Sequence, residues 1–193
     1  SITLVYFQLP AKLFSFLDLV FGELSTIITC LIDGNIYSYT GVDLSPQASQ
    51  ASKVAQKNIA DFPGKKFNYS NIKDVVRELI STKNLKIDIV FSYYTIHHLN
   101  TLDKQNLIND IWPILNPNCC FMLIDVFREE EETHDCYLAK YSKQNIRKNW
   151  FSLTKDEIDM AITYIENCDF PETENTIINQ VKKPGFSKYE FIY

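Results

Sequence analysis

Glycine is scarce in this chain. There are five in 193 residues and none in G-x-G spacing, so the G-x-G-x-x-G turn on which a nucleotide-dependent dehydrogenase relies has no match. No C-x-x-C pair occurs among Cys30, Cys119, Cys120, Cys136 and Cys168, and the odd count leaves one over in any disulfide scheme. A reduced, cytoplasmic protein without a metal site is expected. Positive charge is in deficit: 19 Lys and Arg face 24 Asp and Glu, for a net charge of −5. No general pull toward phosphate backbones or anionic lipid follows, so nucleic acid is not an expected partner. The basic cluster Lys140, Lys143, Arg147 and Lys148 has near-helical spacing and reads as a solvated helix face. No apolar run approaches the roughly 20 residues of a membrane span. Gln8, Pro10 and Lys12 interrupt the apolar patches of residues 1–17, so neither a signal peptide nor a membrane partner is expected.

What the chain does have is a core. It is 46% hydrophobic and 13% aromatic, long enough for one compact domain over 1–193 and nowhere depleted of apolar residues. Short β-rich runs alternate with amphipathic stretches, which is the pattern of parallel strands joined by helical crossovers. The strands are expected over Phe16–Leu19, Tyr37–Asp43, Lys66–Ser70, Ile87–Tyr94 and Cys119–Val126. Helices are expected over Glu23–Ile32, from Ser45-Pro46 to about Ala60, and over Asn71–Ser81 and Leu102–Leu115. Asn116-Pro117-Asn118 reads as the turn that follows. The rhythm then changes: Glu129–Trp150 and Thr154–Asn167 read as consecutive helices, the second marked by a Thr154/Glu157 capping box. A helix over Glu172–Lys182 and a strand over Tyr189–Tyr193 complete an α/β, Rossmann-like, doubly wound and mostly parallel sheet with helices on both faces. Its core spans 16–127 and 172–193, and 128–170 is a helical insertion expected to cover the carboxyl edge.

In an open α/β sheet ligands bind at the carboxyl ends of the strands. The residues at those ends are Asp18, Gly22, Asp43, Asn71, Ser92 and Asp125. Asp43 lies about twenty residues beyond Gly22, the separation at which such folds set an acid against ribose hydroxyls. Helix capping is the other role open to Asp43, although Ser45 already serves it.

These residues carry a family resemblance. Leu17-Asp18-Leu19 with Gly22-Glu23-Leu24-Ser25, then Tyr39-Thr40-Gly41-Val42-Asp43-Leu44-Ser45, resembles the first two motifs of class I S-adenosylmethionine-dependent methyltransferases. Asp88-Ile89-Val90-Phe91-Ser92 followed by His97-His98-Leu99 is similar to their fourth motif. Leu115-Asn116-Pro117 and Phe121–Asp125 resemble the turn and strand after it, and Lys183–Phe186 resembles their K-x-A-G-F segment. The resemblance implies S-adenosylmethionine as cofactor, with Asp43 on its ribose hydroxyls and Leu44 against adenine. Ser45 and Gly22 fall in the same two motifs. It further implies Asn71 and the Ile72 backbone near the adenine amino group, Ser92 at the methionine end, and Asp18 on the methionine amino group or orienting the glycine turn.

One departure stands out. The family's D-x-G-x-G-x-G turn is here Asp18-Leu19-Val20-Phe21-Gly22, two residues short, with Val20 and Phe21 where backbone should approach the cofactor. A catalytically inactive S-adenosylmethionine- or nucleotide-binding module is therefore the alternative function. The expected activity is methyl transfer to the O, N or C nucleophile of a small molecule, since Ser92-Tyr93-Tyr94-Thr95 does not match the N-P-P-Y turn of base-methylating enzymes. His97 and Tyr94 are the candidate catalytic groups by position. His98 is read as packing beneath the next helix, and His134 as surface.

Overall fold

A computed structural model of the chain describes residues 13–21, 36–44, 64–82, 86–141, 146 and 152–189. Five strands, β1 (Phe14–Asp18), β2 (Ile36–Val42), β3 (Lys65–Asn68), β4 (Ile87–Tyr93) and β5 (Leu115–Ile124), form one sheet in the order β3-β2-β1-β4-β5. Every pairing is parallel. The order reverses direction between β1 and β4, so the crevice at the topological switch point opens beside the carboxyl ends of those two strands. This is the Rossmann-like α/β architecture that the alternating pattern implies.

Parallel sheets need cover on both faces. On one face Leu17, Val42, Val90, Phe121 and Leu123 pack against three helices, α1 (Ile72–Ser81), α2 (Thr101–Ile111) and α5 (Glu174–Lys182). Two more of the described helices, α3 (His134–Lys140) and α4 (Lys155–Cys168), lie between α2 and α5 in the chain. In α2 the buried residues Lys104, Leu107, Ile108 and Ile111 follow one helical stripe. Each fully buried Leu, Ile or Val contributes about 1.5–3 kcal/mol. The opposite face is aromatic: Phe14, Phe16, Phe21, Tyr39 and Phe91 pack with Ile89 and Cys120. The helices expected over 23–32 and 46–60 lie outside the described residues, as does most of the strand expected over 189–193.

Among the boundaries that differ from the sequence expectation, three are displaced by four or five residues. Strand β5 begins at Leu115 rather than Cys119, because Asn116–Asn118 is an irregularity within the strand: Ile87 pairs with Leu115 but Ile89 with Cys120. Asn118 takes φ 62 there, a conformation Asn tolerates. Asp88 rewards the irregularity. It accepts hydrogen bonds from Asn116 Nδ2 (2.8 Å), Cys119 Sγ (3.3 Å) and the Ser15 N–H and Oγ (2.9 Å each), joining β1, β4 and β5 at their amino ends. Burial opposes the charge of Asp88, but these bonds outweigh it and hold the pKa at about 2. Helix α2 stops at Ile111 and continues as a 3-10 turn over Trp112–Ile114, since Pro113 has no N–H to continue the ladder. Helix α3 begins at His134, not Glu129, with Thr133 as N-cap accepting from the Cys136 N–H; residues 129–132 form a turn closed by Glu132 N–H to Glu129 O at 3.0 Å.

The capping box at Thr154 and Glu157 forms at the start of α4 as expected. Ile162 and Ile165 of α4 pack with Ile146, Leu138, Tyr141 and Ile158 in a small core separate from the two sheet layers. No described helix is long and apolar enough to cross a membrane.

Gly64 stands at the entry to β3, where a Cβ would come within 2.1 Å of the Tyr37 carbonyl oxygen. Gly64→Ala must push β3 off β2, and overpacking of this kind costs about 1–3 kcal/mol. The urea midpoint is expected to fall with an unchanged m-value; an unchanged midpoint would show that the strand edge yields freely.

Candidate active site

Asp18 ends β1 and is 2% exposed. Tyr39 lies one strand away on β2, with its hydroxyl donating to Asp18 Oδ2 at 2.9 Å, and the Val20 N–H approaches Oδ1 at 3.3 Å. Burial raises the Asp18 pKa to about 7 against these two bonds, and the charge of Asp43 adds to the rise. The Tyr39 hydroxyl is driven upward as well, first by burial and then by the Asp18 charge. Asp43, just past β2, is 4% exposed, and its N–H donates to Asn68 O at 3.0 Å. Parallel pairing of Asp18 with Gly41 carries the two carboxylates to neighbouring strand ends.

The short turn after Asp18 resolves in an unexpected direction. Phe21 is 4% exposed and folds back into the aromatic layer, edge-on to Phe67 at 5.1 Å and to Tyr69 at 6.0 Å. Its N–H donates to Val42 O at 3.2 Å. Gly41 makes room for it: a Cβ there would meet the Phe21 ring at 2.8 Å. The small residue in the second motif thus accommodates the large residue in the first.

Of the other expected cofactor positions, Gly22 and Ser45 lie outside the described residues. Leu44 is 67% exposed, at the edge beside Asp43. Asn71 caps α1, its Oδ1 accepting from the Lys73 N–H at 2.9 Å, and Ile72 opens the helix. Ser92 is fully buried in β4, and its Oγ has no hydrogen-bond partner. Asp18, Asp43 and Ser92 therefore gather at the carboxyl ends of the three central strands, whereas Asn71 and Ile72 stand at the β3 end.

Beyond β4 the chain turns sharply. Tyr94 takes φ 47 and is 44% exposed, with its ring edge-on to Tyr93 at 4.7 Å. The 3-10 turn Ile96–His98 follows. His97 is buried and held twice by Asp125: its N–H donates to Oδ2 at 3.1 Å, and its Nδ1 is hydrogen-bonded to Oδ1. His97 Nε2 lies 3.8 Å from Asp169 Oδ1. His98, expected to pack beneath the next helix, is instead exposed, because it is His97 that Asp125 draws inward; its Nδ1 lies 3.1 Å from Asp169 Oδ1, and its ring meets Tyr164 of α4 edge-on at 5.7 Å. The Asp169 carboxylate raises the His98 pKa, with burial opposing.

Asp169 has no local signal in the sequence, because it meets these histidines through folding across some seventy positions. The segment carrying it is nonetheless tightly held. The Phe170 N–H donates to His97 O at 2.6 Å, the Asp169 carbonyl accepts from His134 Nε2 at 2.7 Å, and Lys104 Nζ donates to Phe170 O. Lys104 is 1% exposed and 3.5 Å from Glu172 Oε1; burial lowers its pKa while Glu172 supports the charge. His134, expected at the surface, is half-buried and stacks on the exposed Phe170 at 5.7 Å. Tyr39 was legible in principle, since Tyr39, Gly41 and Asp43 alternate along one face of β2.

Comparison with known proteins agrees with this geometry. Residues 22–121 match the sequence profile of a family described as a methyltransferase domain. A carboxy-S-adenosyl-L-methionine synthase from Histophilus somni is 30% identical over 111 residues, 56% of this chain and 45% of that protein. An O-methyltransferase family protein from Burkholderia thailandensis superimposes with a TM-score of 0.62 at 15% identity, covering 92% of this chain and 48% of the other. A cyclopropane synthase from Mycobacterium tuberculosis gives 0.60 at 14% identity, covering 95% and 57%. The chain spans about half the length of the curated relatives it matches. With the family profile covering more than half of its residues, this chain belongs to the methyltransferase-domain family.

Proposed function

We propose that the protein binds S-adenosylmethionine at the ends of β1, β2 and β4 and transfers its methyl group to a small-molecule acceptor. The observation that carries the reading is the pair Asp18 and Asp43, buried on adjacent strand ends at the switch point of a family-type sheet. In this reading Asp43 accepts hydrogen bonds from the ribose hydroxyls, and Leu44, Asn71 and the Ile72 backbone border the adenine. Gly22 and Ser45 complete the first two motifs. Asp18 attracts the ammonium of the methionine end, and Ser92 Oγ, buried without a partner, faces the same end.

S-adenosylmethionine supplies a methyl group already activated by a sulfonium. The chain's own contribution is to position the acceptor in line and keep water away. Tyr94 and His97 flank the place where the acceptor would lie, Tyr94 by its exposed ring and His97 through the orientation that Asp125 imposes. The insertion 128–170 brings Tyr164 and Asp169 to the same edge, which supports a role in covering the site and selecting the acceptor. The net negative charge favours a small molecule over a nucleic acid. Cys136 and Cys168 are free thiols, in keeping with a cytoplasmic protein.

Asp43→Ala is expected to lose two charge-assisted hydrogen bonds of about 1.5–3 kcal/mol each. Even half of that sum weakens S-adenosylmethionine binding about tenfold to a hundredfold. Asp125→Asn, beyond the cofactor, should change it far less. Calorimetric titration of both variants checks this, and equal affinities would remove Asp43 from the site.

Asp18 adds a pH dependence with a definite sign. Its pKa is raised from 3.8 to about 7 in the fold, so the stabilising proton is fully held below the unfolded value and lost as pH rises through the folded one. The unliganded protein should therefore lose stability between about pH 4 and pH 7, and Asp18→Asn should flatten that slope. A cationic ligand favours the ionised carboxylate, so S-adenosylmethionine should release a proton on binding near pH 6. Titration in buffers of different ionisation enthalpy measures this; a buffer-independent heat would contradict it.

A further inference from the structure

We propose that His97, His98 and Asp169 form a binding site for a divalent transition metal, zinc above all, with Asp125 orienting His97 from behind. The binding claim rests on the donor set and is independent of the methyl-transfer reading.

The three residues each offer one ligand atom, and those atoms lie within 4.8 Å of one another. His98 Nδ1 is 3.1 Å and His97 Nε2 is 3.8 Å from Asp169 Oδ1. Donors that share one ion at bond lengths of about 2.0–2.2 Å stand roughly 3–4 Å apart in tetrahedral geometry. Both imidazole-to-carboxylate distances fall in that range, and with all three ligand atoms inside 4.8 Å a rotation of the exposed His98 side chain would close the set onto one ion. The Cys168 carbonyl, 3.2 Å from His98 Nδ1, is a further oxygen at the same point.

A second observation points to a cation. Asp169 is 6% exposed, and its Oδ1 has no hydrogen-bond partner. His98 Nδ1 stands 3.1 Å from Oδ1 and 3.2 Å from the Cys168 carbonyl oxygen, and a metal ion bound there would displace the Nδ1 proton and take its place against both oxygens. A buried carboxylate is costly unless positive charge meets it, and an ion at the point where His97 Nε2 and His98 Nδ1 converge would supply that charge.

A third observation concerns His97. Its Nδ1 is committed to Asp125 Oδ1, which leaves Nε2 as the free nitrogen and sets the ring's orientation. A carboxylate on the distal nitrogen is the usual support of a metal-bound histidine. The site is also held in advance. The Asp169 segment is tied by Asp169 N–H to Ile165 O (3.1 Å), Phe170 N–H to His97 O (2.6 Å) and His134 Nε2 to Asp169 O (2.7 Å), so little ordering remains for the ion to induce.

Two imidazoles and one carboxylate suit zinc and related first-row ions rather than magnesium or calcium. His98 is the exposed member of the set, so an open coordination position would face solvent on its side. A Lewis acid at that place would act on an acceptor oxygen or nitrogen; this role, unlike the binding, rests on the methyl-transfer reading.

The test is titration of the purified, chelator-stripped protein with Zn²⁺, and with Co²⁺ read by its visible absorption, in the absence of S-adenosylmethionine. One ion per chain is expected, with Co²⁺ showing the absorption of a nitrogen- and oxygen-ligated site. His98→Ala and Asp169→Asn should each abolish stoichiometric binding. Asp125→Asn should weaken it about tenfold to a hundredfold, as loss of an outer-shell partner does. Cys136→Ser, which removes an exposed thiol, should leave it unchanged. Circular dichroism and urea unfolding of each variant confirm the fold. No stoichiometric binding to the wild-type chain, or binding that survives His98→Ala in a folded protein, overturns the proposal, whether or not S-adenosylmethionine binds.

Discussion

Strand β1 is hydrogen-bonded on both edges, to β2 through Asp18 and Gly41 and to β4 through Asp18 and Phe91. All five of its residues are buried, Leu17 in the helical layer and Phe16 in the aromatic one. A slip of one residue would exchange those two faces and place Asp18 in the wrong layer. The double pairing therefore sets the height and the facing of the carboxylate on which the proposed cofactor site is built. Asp88 secures the same register from the other end, since its bonds to Ser15, Asn116 and Cys119 hold β1, β4 and β5 level.

With that register in place, the carboxyl edge divides into two chemically different halves. Over β1 and β2 lie Asp18, Asp43 and Tyr39, a buried acidic pair in which one member keeps its proton to about pH 7. Over β4 and β5 lie His97, His98, Asp125 and Asp169, where imidazoles alternate with carboxylates. The second half is assembled from elements distant in the chain, and it depends on a buried lysine: Lys104 of α2 binds the Phe170 carbonyl and Glu172, and so carries the end of α4 to the sheet. Removing the hydrogen-bonding end of such a buried group leaves its partners unsatisfied, at about 1–3 kcal/mol each.

Much of the sheet was legible because periodicity is local. The helix expected over Asn71–Ser81 forms, with Val75 and Val76 in the core and Ile72 and Leu79 packed against it, and the Thr154 capping box forms as written. Asp43 and Asp18 were legible for the same reason: they end apolar runs. What was not legible depends on contacts across the fold. Asn116–Asn118 has turn residues, yet Asp88 draws Asn116 and the adjoining Cys119 into β5. The burial of His97 and Lys104 depends on the segment 169–172, which meets them only after α4 has packed. Phe21 looked like an obstruction in a glycine turn, and only the three-dimensional arrangement shows Gly41 leaving space for its ring.

The central claim is that this edge holds S-adenosylmethionine. Native mass spectrometry of the intact protein, as purified and after addition of S-adenosylmethionine, tests it without knowledge of the acceptor. The account predicts one adduct per chain with the mass of S-adenosylmethionine or its demethylated product. A protein that stays at its unliganded mass in the presence of excess S-adenosylmethionine would contradict it.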